Sequence, residues 1–222
     1  MTVFLKHNVI KLAFHTLRPG GGPALLLLHG LGARSASVVP DDVSRWPGPI
    51  YALDFTGHGE STVPGGGGYT AELLMGDADA ALSMIGDATI LGRGLGGYVA
   101  LLLGGARAEH VRGIVIADGP GIAGGGDEPG VTIVRGVPER EGPPDPFALV
   151  ELAADLRPPD YAATFVGFAA TGSGFARPVT VSAKVRPDWL KAVMQQDGVA
   201  EASVEDALAF YASLRPDQPS AP

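Results

Sequence analysis

The chain is expected to fold as an α/β protein with a mostly parallel sheet flanked by helices. Short apolar runs alternate with segments of helical period along most of its length, the pattern of strands joined by crossover helices. One run, Ala24 to Leu28, is apolar at every position, as a strand covered on both faces requires. With 222 residues, 45% of them hydrophobic and 18% charged, there is enough apolar surface for a substantial core in a single domain spanning 1–222.

Each element follows in order. Val3 to Leu17 interleaves β-branched and aromatic residues with polar ones, predicting two opening strands before the Gly20-Gly21-Gly22-Pro23 break. Ala24 to Leu28 is the first buried strand and ends in His29-Gly30. A helix is expected near Ser35 or Ser37, with Pro40 disturbing its boundary. Ile50 to Asp54 supplies the next strand, followed by the loop Phe55 to Ser61 and the Gly65 to Gly68 tract. Leu73, Leu74, Ala78, Ala81, Leu82 and Ile85 recur at helical spacing, and Gly86-Asp87 ends that run. Ala88 to Leu101 reads as strand, sharp glycine turn and helix; Val111 to Ala117 is a further strand. Asp145 to Ala170 is expected to contribute helices and Val179 to Ser182 a late strand. Ser203 to Leu214 is a terminal helix opened by Ser203 with Asp206 three residues on. Residues 215–222 read as a frayed tail.

A net charge of -8 excludes broad attraction to nucleic acid or anionic membranes. The absence of cysteine removes disulfides, thiolate catalysis and cysteine-ligated zinc together. No apolar run approaches the roughly 20 residues of a bilayer span, and the first residues lack a leader-like pattern, so no membrane association and a cytoplasmic location are expected.

Three glycine motifs carry the chemistry: Leu28-His29-Gly30-Leu31-Gly32, Leu53-Asp54-Phe55-Thr56-Gly57-His58-Gly59-Glu60-Ser61, and Gly92-Arg93-Gly94-Leu95-Gly96. Together, in this order, they resemble the oxyanion loop, the D-x-x-G-x-G-x-S segment and the G-x-S-x-G nucleophile elbow of the α/β-hydrolases. The resemblance covers nearly the whole chain and implies the α/β-hydrolase fold. The short interval between Asp118 and Val179 leaves room only for a small cap or none. In such a hydrolase a serine hydroxyl attacks at the elbow while two backbone amides face the oxyanion; here those amides belong to Leu31 and Leu95. Both are main-chain groups, so an anion-accepting pocket is expected to outlast the loss of the serine.

Two departures set this chain apart. Gly94 stands at the nucleophile position, closing the acyl-enzyme route, and it excludes an aspartate nucleophile as well. Glycine there also relieves about 1–3 kcal/mol of backbone strain that the elbow imposes on other residues. The family's general base is a late histidine, yet the five histidines are His7, His15, His29, His58 and His110, and none follows. No residue is therefore assigned a catalytic role; His29, Asp54 and Asp118 are the candidates that remain.

Each candidate carries two readings. His29 either polarises a ligand or shapes the oxyanion loop; His58 reads as structural. Asp54 is a carboxylate base or a loop brace. Asp118 and Asp188 are alternative counterparts of the triad acid, or else turn and helix-start residues. Arg93 either draws an anion toward the elbow helix or forms a salt bridge. The ligand-binding set is thus His29, Gly30, Leu31, Arg93, Gly94 and Leu95. No histidine spacing supports a metal, the Gly92 to Gly97 stretch lies too deep in the chain for a dinucleotide loop, and no cofactor is expected.

The leading expectation is a hydrolase-fold protein without Ser-His-Asp hydrolysis that binds a small acidic or carbonyl-containing ligand, or a protein partner. The alternative is a slow hydrolase or lyase of altered mechanism using the retained amides. A third reading is a structural or interaction protein, for example a homo-oligomer, with a filled pocket separating it from the others.

Overall fold

The computed structural model describes residues 1–126 and 142–214. Eight strands form one sheet: β1 (Thr2–His7), β2 (Ile10–Arg18), β3 (Ala24–Leu28), β4 (Ile50–Leu53), β5 (Ala88–Arg93), β6 (Val111–Ala117), β7 (Val179–Val181) and β8 (Val199–Glu201). Their spatial order is β1-β2-β4-β3-β5-β6-β7-β8. β2 runs antiparallel to both its neighbours, and every other pairing is parallel. Among the described residues six α-helices flank the sheet: α1 (Ala71–Ile85), α2 (Leu95–Ala106), α3 (Pro146–Ala154), α4 (Pro159–Gly172), α5 (Asp188–Met194) and α6 (Val204–Ser213).

The apolar runs are continuous because the central strands are covered on both faces. Leu26, Leu28, Ile90 and Ile116 join the core beneath α1, α2, α4 and α5. Their neighbours Leu25, Leu91, Val115 and Ala117 turn the other way, onto Tyr211 and Leu208 of α6 and onto Trp46. Period-two geometry thus divides one apolar strand between two cores.

Helix ends follow the sequence closely. Thr70 Oγ1 accepts from the Leu73 amide at 3.2 Å to start α1, and Ser203 Oγ accepts from the Asp206 amide at 3.1 Å to start α6. The expected helix near Ser35 or Ser37 is absent. Instead the chain stays irregular to a 3-10 turn at Asp41–Val43. The Ser35 amide is held by Asp54 Oδ1 at 2.7 Å, and Pro40 has no N–H to continue a helical ladder.

Strand β8, the three residues that directly follow Gly198, is not anticipated by the sequence reading; it is too short for a period to register. Between β6 and β7 the described residues hold α3 and α4, and α4 packs on α2 and α5. The expected tail lies outside the described residues. No described helix is long and apolar enough to cross a membrane.

Candidate functional site

Strand β5 passes into α2 through Gly94, at φ 58° and ψ -120°. This is backbone that a side chain occupies only under strain. Close packing fixes the turn: a Cβ on Gly92 would lie 2.1 Å from the Gly96 carbonyl oxygen, so the helix start rests directly on the strand end. The Gly94 amide donates to the Ala117 carbonyl at 3.0 Å, tying the turn to the end of β6.

Immediately beyond β6, the segment Asp118-Gly119-Pro120-Gly121 folds over this turn. The Leu31 amide donates to the Pro120 carbonyl oxygen at 3.0 Å, and the Leu95 amide donates to the same oxygen at 3.0 Å. The two donors singled out from sequence therefore do converge on one point, and a main-chain oxygen of the protein sits there. A Cβ on Gly94 would stand 2.1 Å from Pro120 O and 2.5 Å from the Gly119 carbonyl carbon. One on Gly30 would meet the Pro120 ring and carbonyl at 2.8 Å. Gly30, Leu31, Gly94 and Leu95 are thus gathered around Pro120, which sequence reasoning did not single out.

The segment is held from behind as well. Arg157 Nη1 donates to the Gly121 carbonyl at 2.5 Å and the Ile122 carbonyl at 2.7 Å, and Trp189 Nε1 donates to Ile122 at 2.8 Å. Arg157 is 1% exposed and lies over the Tyr98 ring, 4.9 Å from its centre. Burial pushes its guanidinium down to about 10, against the pull of Asp155. No compositional signal marks this residue; its place in the Leu-Arg-Pro-Pro stretch resembles any loop.

His29 and His58 are buried braces. His29 Nδ1 donates to the Gly30 carbonyl at 2.8 Å, leaving Nε2 to accept from the Phe55 amide at 3.1 Å. His58 repeats the arrangement: Nδ1 donates to the Thr56 carbonyl at 3.0 Å and Nε2 accepts from Gly32 N at 3.2 Å. Accepting at Nε2 requires a neutral ring in each case. Burial, with the nearby His58, pushes His29 down to about 4; burial lowers His58 too. Asp54 braces the same loops, with Oδ1 accepting from Ser35 N and Oδ2 from Glu60 N (2.8 Å) and His15 Nε2 (3.1 Å). Burial raises its carboxyl, but those hydrogen bonds outweigh it and hold it below the usual range.

The remaining candidates stand apart. Arg93, at the end of β5, pairs with Asp42. Asp118 accepts from the amides of Lys184 (2.9 Å) and Val185 (3.0 Å), capping the loop after β7. Slight burial opposes ionisation there, and these amides more than offset it, lowering the carboxyl. Asp188 opens α5 and pairs with Lys191 at 2.8 Å. Neither carboxylate is hydrogen-bonded to a histidine.

A buried carboxylate in α1 was missed. Asp77 of α1 accepts from Thr56 N at 2.8 Å, Thr56 Oγ1 at 3.0 Å and His7 Nδ1 at 2.7 Å. Its position on the apolar face of α1 is the signal that marks it. Burial raises its carboxyl, opposed by these donors. Among the described residues no group of three or more His, Asp or Glu is placed to hold a metal ion.

A model of the alpha/beta hydrolase family matches residues 25–221. Among solved structures, a thioesterase domain from the curacin biosynthetic pathway superposes with TM-score 0.67 at 13% identity, covering 96% of this chain and 98% of that one. Est1E from Butyrivibrio proteoclasticus, solved with ferulic acid bound, gives 0.65 at 15% identity over 95% and 96%. A deformylase from Pseudomonas putida S16 gives 0.56 at 16% identity over 93% of each chain. At such identities the likeness is one of fold. No curated protein matches the chain in sequence.

Proposed function

Since this chain belongs to the alpha/beta hydrolase family, we propose that it is a member without Ser-His-Asp hydrolysis, whose role is to bind rather than to turn over. The reading is carried by one observation: the Pro120 carbonyl accepts from both Leu31 N and Leu95 N and stands where a side chain on Gly94 would go. A nucleophile at position 94 would collide with it. A substrate carbonyl would have to displace it before reaching either amide.

The histidines support the same reading. His7 is engaged by Asp77, His15 by Asp54 and His110 by Asp87, while His29 and His58 are committed to backbone. With no histidine after His110, a general base in the family position is missing together with the nucleophile. Joint loss is the signature of divergence, since either group alone is of little use in acyl transfer. The expected partner is a small acidic or carbonyl-containing ligand, or another protein.

The test is hydrolysis of short- and medium-chain nitrophenyl esters by highly purified protein, with Leu31→Pro alongside. Rates equal to buffer are expected. A kcat/KM above about 10⁴ M⁻¹s⁻¹, in the range of ordinary enzymes, that is lost in Leu31→Pro would overturn the proposal.

A further inference from the structure

On the face of the sheet opposite α2, a cavity of about 200 Å³ opens between the strand ends and the irregular segment leading to Asp41. Leu27, Leu28, Ala52, Leu91 and Val43 are its apolar lining residues, and Arg34, Asp42 and Arg93 its charged ones. Leu91 and Val43 belong to the core beneath α6, while Leu28, His29 and Arg93 bring the cavity up to the strand ends next to Gly30 and Gly94.

The rim has an excess of positive charge. Arg93 is neutralised by Asp42, which also lines the cavity. Arg34 makes no ion pair and no hydrogen bond among the described residues, although on its other side it borders a groove containing Asp54 and Glu60. Asp54 accepts there from Ser35 N, Glu60 N and His15 Nε2, and no hydrogen bond or ion pair joins it to Arg34 among the described residues. His29 reaches the wall too, but its two nitrogens are committed to Gly30 and Phe55. One unpaired guanidinium beside an apolar chamber is the complement of one carboxylate on an apolar chain.

We propose that this cavity binds a small monocarboxylate with a short apolar body, the carboxylate meeting Arg34 and the body lying on Leu27, Ala52 and Leu91. A volume of about 200 Å³ is several times the roughly 30 Å³ liquid share of one water, room for a short apolar chain, and hexanoate is the probe of that size. The inference deepens the binding role proposed above and rests on it for purpose, not for location.

The experiment is calorimetric and NMR titration of the whole chain with butyrate, hexanoate, octanoate and hexanol. Hexanoate is expected to bind saturably, and hexanol about tenfold more weakly or worse, the scale of a charge-assisted hydrogen bond. Arg34→Gln, at an exposed position, should weaken hexanoate by a similar factor and leave hexanol unchanged. Ala36→Phe, projecting into the cavity, should abolish both while the melting temperature shows the fold intact. Hexanoate should move the resonances of Ala52 and Leu91. The inference is overturned if hexanoate does not bind at millimolar concentration, or binds equally well to Arg34→Gln. Shifts concentrated instead at the amides of Leu31 and Leu95 would also overturn it, by placing the ligand at Pro120; the ester panel tests the non-hydrolytic reading separately.

Discussion

Placing a hydroxyl at the turn with Gly94→Ser is the perturbation that tests the site most directly, and Gly86 provides its control. Gly86 closes α1 at φ 78° and ψ -139°, close to the 58° and -120° of Gly94. A Cβ on Gly86 meets nothing within 4 Å, whereas one on Gly94 stands 2.1 Å from Pro120 O. Gly86→Ser therefore reads backbone strain alone, about 1–3 kcal/mol. Gly94→Ser adds displacement of the Pro120 carbonyl and loss of its two hydrogen bonds, each worth about 1 kcal/mol net, for a total of about 3–5 kcal/mol. At about 2–4 °C per kcal/mol for a domain of this size, the expected drop in Tm is about 6–20 °C. Paired urea titrations of the two variants and the parent give the difference, and an ester assay on Gly94→Ser should stay at background. Equal destabilisation by both substitutions, or an acyl-enzyme burst from Gly94→Ser, would refute the argument that Pro120 fills this position.

Three further outcomes follow from the same geometry. Because His29 is held near 4 and His58 is also lowered, the unfolded chain takes up protons below pH ~6.5 while the folded one does not, so stability falls from there down to about pH 4. His29 alone contributes a loss of about 3 kcal/mol, measured by denaturant titration across that window; a flat profile would contradict the neutral buried rings. Asp77→Ala should cost about 3 kcal/mol in urea unfolding, since it strands the Thr56 amide and hydroxyl and removes the partner of His7, with Asp77→Asn recovering part of it. Arg157→Met removes the donor to Gly121 and Ile122; hydrogen exchange at the Leu31 and Leu95 amides should speed up by about tenfold or more, and unchanged exchange would show that Arg157 does not hold the segment.

The sheet is legible in the sequence because burial on both faces demands uninterrupted apolar runs such as Ala24 to Leu28, and turn glycines delimit them. Gly94 and the two donors Leu31 and Leu95 are legible through the resemblance of their glycine motifs to the elbow and oxyanion loop of the α/β-hydrolases, where the donors are main-chain groups. Pro120 is not, for a physical reason: its contribution is a carbonyl oxygen, which every residue carries, and only the path of the chain after β6 brings it between Leu31 and Leu95. The missing helix near Ser35 is a similar case, decided by a bond to the distant Asp54 carboxylate rather than by local preference. Arg157 and Asp77 are buried polar residues whose partners lie far along the chain, so local pattern marks Asp77 only as an oddity on an apolar face and leaves Arg157 silent.

The fixed tautomers of His29 and His58 have a spectroscopic consequence. Each ring carries a buried Nδ1 proton bonded to a carbonyl, of Gly30 and of Thr56, while its Nε2 is bound by the amide of Phe55 or Gly32. Such protons are sheltered from water and give separate signals far downfield, and the paired ring nitrogens report which of them is protonated. Two native probes therefore flank the loop that bears Leu31. They allow a ligand, a partner or a loop substitution to be followed in solution without attaching any label near the site.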